Sequence, residues 1–375
     1  MILFHQKILL NLKFLPELQS NMNSLQTALW IKKQIFMKNN CDQDSQLSKQ
    51  IVQWYLKNGR SDLPWRKNVT AYRVWISEIM LQQTQVKTVI PFFKKFISKY
   101  PNLKSLSSAN EEEILALWTG LGFYRRAINI HKAKEIILSD FKNRFPKSFD
   151  DIVRLPGIGE STAGAIMSLA YQIPYPILDA NVKRVISRYE SVGNDLTHKS
   201  NKKLWALSNK HTPSKNIFSY TQGIMDLGAT ICHNSKPNCG ICPLQDDCKS
   251  AFKVITSKKE TKKQNLTKKI NFVLARTNDS FLLFKKLEKS FWEGLWTPLE
   301  LDPNHPLPWK DDIKTIEEIN IKHKLSHLNL DIKVNIYEYK KVFKLKTNEK
   351  YKWVNKSNID KFGMPKPIKS IIEKS

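Results

Sequence analysis

With 375 residues, 41% of them apolar and 25% charged, the chain has enough material for two or three domains with buried cores, which excludes a class lacking any packed interior. A formal charge of +27 and a pI near 9.7 favour a polyanionic partner, DNA or RNA ahead of an acidic membrane surface. Part of that excess matches a general enrichment in Lys, Asn and Ile, and no apolar run is long enough to span a membrane.

Residues 1–44 are basic and poor in acids, and their opening apolar stretch is too short for a secretory core. They are expected to be a disordered or non-native extension, with Met37 as an alternative start. From 45 to 250 the pattern is almost entirely helical. Val74, Ile76, Ile79 and Met80, then Val86, Val89 and Ile90, fit one buried stripe interrupted by the polar patch Gln82-Gln83-Thr84-Gln85. Asn110 before Glu111-Glu112-Glu113 predicts a capped helix start. Further helices are predicted at 123–139, 160–171, 179–191, 200–210 and 214–231. Residues 251–269 read as a solvated basic linker. Beyond it the period changes: Leu328, Leu330, Ile332, Val334 and Ile336 alternate with polar residues, predicting a strand with one buried face, and 272–275 and 281–284 predict others. A separate, smaller α+β domain is therefore expected over 270–375.

Four features carry chemistry. In Leu155-Pro156-Gly157-Ile158-Gly159 the two glycines allow a tight turn that aims N–H groups outward just before a helix, an anion cradle suited to a DNA backbone. Asp179 follows an apolar run and precedes Lys183 and Arg184, a carboxylate beside a surface suited to phosphates. Glu78 sits in an apolar helical stretch, where desolvation would raise its pKa toward that of a general acid, and the neighbouring glutamines could bond to bases. Leu121-Gly122-Phe123-Tyr124-Arg125-Arg126 sets aromatics beside arginines, as a duplex wedge with a phosphate clamp would, or as a packed helix start. Trp65 and Arg66 after Pro64 admit the same two readings.

The strongest signal is Cys232-x6-Cys239-x2-Cys242-x5-Cys248; the fifth cysteine, Cys41, stands apart. Clustered thiolates without a convincing signal peptide read as metal ligands in a reducing compartment, so the protein is expected to be intracellular. Spacing alone leaves tetrahedral zinc and a cubane iron–sulfur cluster equally open.

Taken in this order, Glu78 with its glutamines, the LPGIG hairpin, the ILDANVKRV segment and the four-cysteine loop resemble the helix-hairpin-helix DNA glycosylases that carry an iron–sulfur cluster, and among them the MutY-type adenine DNA glycosylases. The likeness is close over 46–250 and looser over 270–375. It implies a mainly α, two-lobed glycosylase core holding a [4Fe–4S] cluster, followed by a Nudix-like domain. It also implies a monomeric enzyme of the bacterial cytoplasm acting on double-stranded DNA with A:8-oxoG or A:G mispairs. Ser161 occupies the position where bifunctional endonuclease III relatives carry a Schiff-base lysine, which implies base removal without strand cleavage.

Carried over by the resemblance, Glu78 protonates the departing adenine and Asp179 stabilises the oxocarbenium-like sugar. Trp65, Arg66, Leu81 and Gln222 line the adenine pocket, while Gln83 and Phe123 probe or wedge the duplex. Ser326 and His327 contact the 8-oxoguanine. No Nudix hydrolase box is present. Phe123 stands where many relatives have tyrosine, Ala180 where glycine commonly follows the aspartate, and Leu325 where an aromatic is common.

Overall fold

The structure, a computed structural model, describes residues 44–192, 198–253, 266–287, 291–301, 316–325, 328–345 and 350–374. The expected 1–44 extension lies outside these except for Asp44, whose carboxylate accepts from the Ser214 N–H at 3.1 Å.

Helix α1 (Gln46–Asn58) begins where the Ser45 side chain accepts from the Ser48 N–H. A single 3-10 turn, Pro64–Arg66, leads into α2 (Ala71–Leu81) and α3 (Val86–Lys99). These are two helices rather than the single interrupted stripe expected from the apolar spacing. Gln82 leaves helical geometry and Gln83 takes φ +54°, so the glutamine patch is the turn between them. Helix α4 (Leu103–Ser107) precedes α5 (Glu111–Trp118). The cap on α5 forms as predicted: Asn110 accepts from the Glu113 N–H, and the Glu113 carboxylate accepts from the Asn110 N–H. Next come α6 (Arg125–Asp140), α7 (Phe149–Val153), α8 (Glu160–Ala170), α9 (Ala180–Tyr189), α10 (His198–His211) and α11 (Ile217–Thr230).

Two lobes arise because the chain returns on itself. Helix α1 packs against α11, which also takes α9, so the N-terminal helix completes the lobe that carries the cysteine loop. Helices α2 to α8 form the other lobe, and α8 touches both α2 and α11. Asp179, the residue before α9, therefore lies where the chain passes from one lobe to the other.

The C-terminal part is a mixed sheet of β1 (Leu266–Arg276), β2 (Ser280–Lys285), β3 (Trp296–Thr297), β4 (Leu299–Glu300), β5 (Glu317–Lys324), β6 (Leu328–Glu338) and β7 (Tyr351–Asn355), closed by α12 (Lys366–Lys374). Strand β1 begins inside the expected linker. Residues 266–269 are exposed and basic, yet they pair in parallel with β6 from Leu266–Leu328 onward, so ladder formation rather than burial makes them a strand. The alternation in β6 is as predicted, with Leu330, Ile332, Val334 and Ile336 at most 1% exposed. The domain is less separate than its composition suggests. One continuous apolar cluster runs from Leu47 through the helices to Ile372 of α12.

Candidate active site

Glu78 and Asp179 meet at the junction of the lobes. Helix α2 buries Val74, Trp75, Ile76, Ile79 and Met80, which fixes the helix rotation and hence the direction of Glu78. Glu78 keeps some accessible surface. Even so, burial, reinforced by the nearby Asp179 carboxylate and opposed by the Arg66 guanidinium, pushes its carboxyl up to about 8. Asp179 caps α9, its Oδ1 accepting from the N–H groups of Asn181 at 2.6 Å and Val182 at 2.9 Å. Burial raises its pKa, while those two bonds and Arg184 favour the charged form. Burial raises both carboxyls and each feels the other's charge, so the pair favours sharing one negative charge over carrying two, with N–H donors present on the Asp179 side.

Ser161 lies in the first turn of α8 and its Oγ accepts from the Leu178 N–H at 2.9 Å, one residue before Asp179. The position thus holds a hydroxyl engaged with the backbone, and no amine is available there for imine formation.

Arg66 meets its partner on α11. Its guanidinium grips Asp226 bidentately, with Nη1–Oδ2 and Nη2–Oδ1 both at 2.7 Å, and Arg60 adds Nε–Oδ1 at 2.8 Å. Burial opposes ionisation of Asp226, but the bonds and charge of Arg66 and Arg60 outweigh it and hold the carboxyl below its ordinary range. The sequence reading missed Asp226. An acid inside Ile217–Thr230, an otherwise apolar helix, is the same signal that marked Glu78. Trp65 is buried edge-on to Phe93, Gln222 is buried on α11, and Leu81 is half-buried at the end of α2. Trp65, Arg66 and Leu81 thus lie on α2 and the turn packed against it, whereas Gln222 is on α11, which reaches α2 by way of α8.

The hairpin differs from expectation in one respect. Gly157 has φ +83°, and a Cβ there would come within 2.9 Å of the Asn129 side chain, so the turn requires glycine. Gly159 has φ −93°, a conformation open to any residue; it caps α8 with clear space beside it, so what glycine supplies there is room for a close-approaching backbone. Lys183 is half-buried in the first turns of α9. Arg184, expected to face phosphates, instead points inward: Nε donates to the Cys232 carbonyl at 2.7 Å and Nη2 to the Asn181 side chain at 2.8 Å.

Gln83 and Phe123 are both exposed and both left-handed, at φ +54° and +50°, a conformation that costs a non-glycine residue about 1 kcal/mol. Arg126 holds them there. Expected as a phosphate clamp, it is buried, with Nη1 on the carbonyls of Ile79, Met80 and Gln82 at 2.7–2.9 Å and Nη2 on the Gly122 carbonyl at 3.0 Å. Burial lowers its pKa to about 10. The two loops that would meet a duplex are thus cross-tied by one buried cation. Ser326 and His327 lie outside the described residues.

Cys232, Cys239, Cys242 and Cys248 are free thiols lining one pocket together with Arg188, Tyr189, Leu227 and Leu244. Burial, with smaller contributions from the other thiols, pushes Cys242 up to about 11, and burial also raises Cys248. Thiolates in so apolar a pocket need a positive centre, and Arg188 already donates to Cys232 Sγ at 3.3 Å. Among the described residues no group of three His, Cys, Asp or Glu side chains is arranged to hold a single metal ion.

A family model described as HhH-GPD superfamily base excision DNA repair protein matches residues 76–210, the stretch that holds the hairpin and both carboxyls of this two-lobed helical core. A NUDIX domain model matches residues 271–374. The chain belongs to the adenine DNA glycosylase family. It is 43% identical to the adenine DNA glycosylase of Buchnera aphidicola subsp. Acyrthosiphon pisum over 337 residues, 87% of this chain and 96% of the relative. It is likewise 43% identical to that of Buchnera aphidicola subsp. Schizaphis graminum over 87% and 97%. Among solved structures, a thermostable thymine-DNA glycosylase superposes with a TM-score of 0.50 at 29% identity, over 54% of this chain and 94% of that one. No helix among the described residues is long and apolar enough to cross a membrane.

Proposed function

We propose that the protein hydrolyses the N-glycosidic bond of adenine paired with 8-oxoguanine or guanine, leaving the DNA strand intact. The observation that carries this reading is the carboxyl pair: Glu78 pushed up to about 8 by burial and Asp179, beside a position where Ser161 offers no amine. Adenine must first leave the stack, since its bond to sugar is shielded within the duplex. Exposed Phe123 and Gln83 suit insertion at the vacated position, and Gly157, Gly159 and Lys183 suit the flanking backbone. In the pocket of Trp65, Arg66, Leu81 and Gln222, Glu78 donates its proton to a ring nitrogen of the base, so the leaving group departs neutral. Asp179 faces the cation that develops on the sugar, and Glu78, now ionised, orients the water that completes hydrolysis.

The four thiols fit a [4Fe–4S] cluster, with Arg188 donating toward Cys232. These four thiols would hold the cluster, and its bonds to them would close residues 232–248 into one cross-linked loop against the α9 and α11 side chains that line the pocket. Replacing Cys239 by Ala is expected to lower the iron content and melting temperature before it affects the chemistry of protein that remains folded; full iron content and an unchanged melting temperature would contradict this ligand set.

The C-terminal domain is assigned the recognition of 8-oxoguanine opposite the adenine, supported by its NUDIX match and by its seat on α5 beside the Phe123 loop. Duplexes carrying A:8-oxoG, A:G, A:T and an oxidised pyrimidine test the substrate. Adenine release from the first two is expected; action on the oxidised pyrimidine alone would overturn the reading. The same pair sets the pH dependence. Glu78 acts only while protonated, so kcat/KM should fall as pH rises through about 8, and it should also fall on the acid side once Asp179 takes up a proton. A profile still flat a pH unit above that point would remove Glu78 from the acid role.

A further inference from the structure

The loop that presents Phe123 runs from Thr119 to Tyr124, and both its ends are fastened to the backbone of one residue of the C-terminal domain, Met364. The Met364 N–H donates to Thr119 Oγ1 at 3.3 Å, and the Met364 carbonyl accepts from the Tyr124 hydroxyl at 3.0 Å. That hydroxyl also accepts from the Gly120 N–H at 3.3 Å, inside the loop. Tyr124 is 8% exposed and its bond to the Met364 carbonyl is buried, so a lost partner there is felt, while the other two bonds are half-buried. Next to Met364, Gly363 lies so close to α5 that a Cβ would come within 2.6 Å of the Leu115 side chain, which leaves the strap no room to slide. Between the two fastenings the loop holds three left-handed residues, Gly120 at φ +98°, Gly122 at +78° and Phe123 at +50°. A loop with such backbone values keeps one shape only while its surroundings dictate it.

We propose that Tyr124, with Thr119, is a positioning residue through which the seat of the C-terminal domain sets the conformation of the Phe123 loop. This rests on the reading of Phe123 as the wedge and of adenine as the target. In this arrangement the domain assigned to the opposite base and the side chain that enters the stack share one hydrogen-bonded strap, so displacement of the strap reaches Phe123 through two bonds.

Tyr124→Phe in the full-length holoprotein removes the hydroxyl and keeps the ring; Thr119→Val removes the other fastening at constant shape. Hydrogen–deuterium exchange of amides 120–124 is expected to quicken about fivefold in each, in line with the loss of about one net hydrogen bond. Base opening, followed by 2-aminopurine at the target position, should slow by a similar factor, while exchange in α2 and α8 and affinity for undamaged duplex remain unchanged. Lys285→Ala is the control, since Lys285 pairs with Glu112 at 3.3 Å across the same interface away from the loop. It should loosen docking without quickening the loop. Unchanged loop exchange in both strap variants, or equal quickening in Lys285→Ala, overturns the inference. If the unaltered chain releases no adenine, the substrate reading fails instead, and the exchange result still decides the role of the strap.

Discussion

Replacing Asp179 by Asn is expected to lower single-turnover base excision by about a thousandfold or more while leaving duplex binding within a few-fold, because the lost term is stabilisation of a charge that exists only in the transition state. Asn is among the best N-cap residues, and its side-chain oxygen can still accept from the Asn181 and Val182 N–H groups, so α9 should remain capped. The variant therefore separates chemistry from fold. Purified protein with an unchanged melting temperature, normal retention of duplex and undiminished excision would mean that no bond breaking depends on this carboxylate. A DNA-binding protein without catalysis would instead show no excision in either the parent or the variant.

Replacing Asp226 by Ala is expected to destabilise the fold by about 3–5 kcal/mol, the usual consequence of removing one partner from a buried ion pair. Asp226 has no accessible surface, and its loss leaves the Arg66 guanidinium, whose side chain is 4% exposed, without its bidentate partner. Arg60 also loses its acceptor, but that side chain is 28% exposed and can turn to water. A second effect should accompany the first in whatever fraction stays folded. With its counter-charge gone, Arg66 pulls more strongly on Glu78 and lowers its pKa, so the basic limb of the pH profile moves below about 8. Denaturant unfolding and the pH profile of the one variant check both effects. A shift of less than about 1 kcal/mol would show that the triad of Arg60, Arg66 and Asp226 contributes no more than a surface cluster does.

What the sequence disclosed and what it hid follow from the range of the interactions involved. Glu78 was legible because an acid in an apolar helix is a local contradiction, and Asn110 with Glu113 because a capping box is complete within four residues. Asp226 carries the same contradiction as Glu78, but its resolution depends on Arg60 and Arg66, about 160 residues earlier in the chain, so only the fold brings the triad together. Arginines were the least legible of all. Arg126 and Arg184 look like phosphate contacts by composition, yet both are turned inward onto carbonyls, because a turn with left-handed residues and the C-terminal end of α11 leave acceptors that the backbone cannot satisfy. Gln82 to Gln85 misled through periodicity: apolar spacing on both sides kept helical phase across a turn, and nothing local marked Gln83 as left-handed. Residues 266–269 misled for the opposite reason, since pairing with β6 overrides a composition that by itself suits a linker.

One incubation tests the roles of Glu78, Asp179 and Ser161 most directly: the full-length holoprotein with a duplex carrying a single A:8-oxoG pair, assayed for free adenine and for strand breaks before and after alkali. The arrangement of Glu78, Asp179 and Ser161 predicts stoichiometric free adenine with the strand whole until alkali is added. No free adenine, or strand scission before alkali, would contradict it.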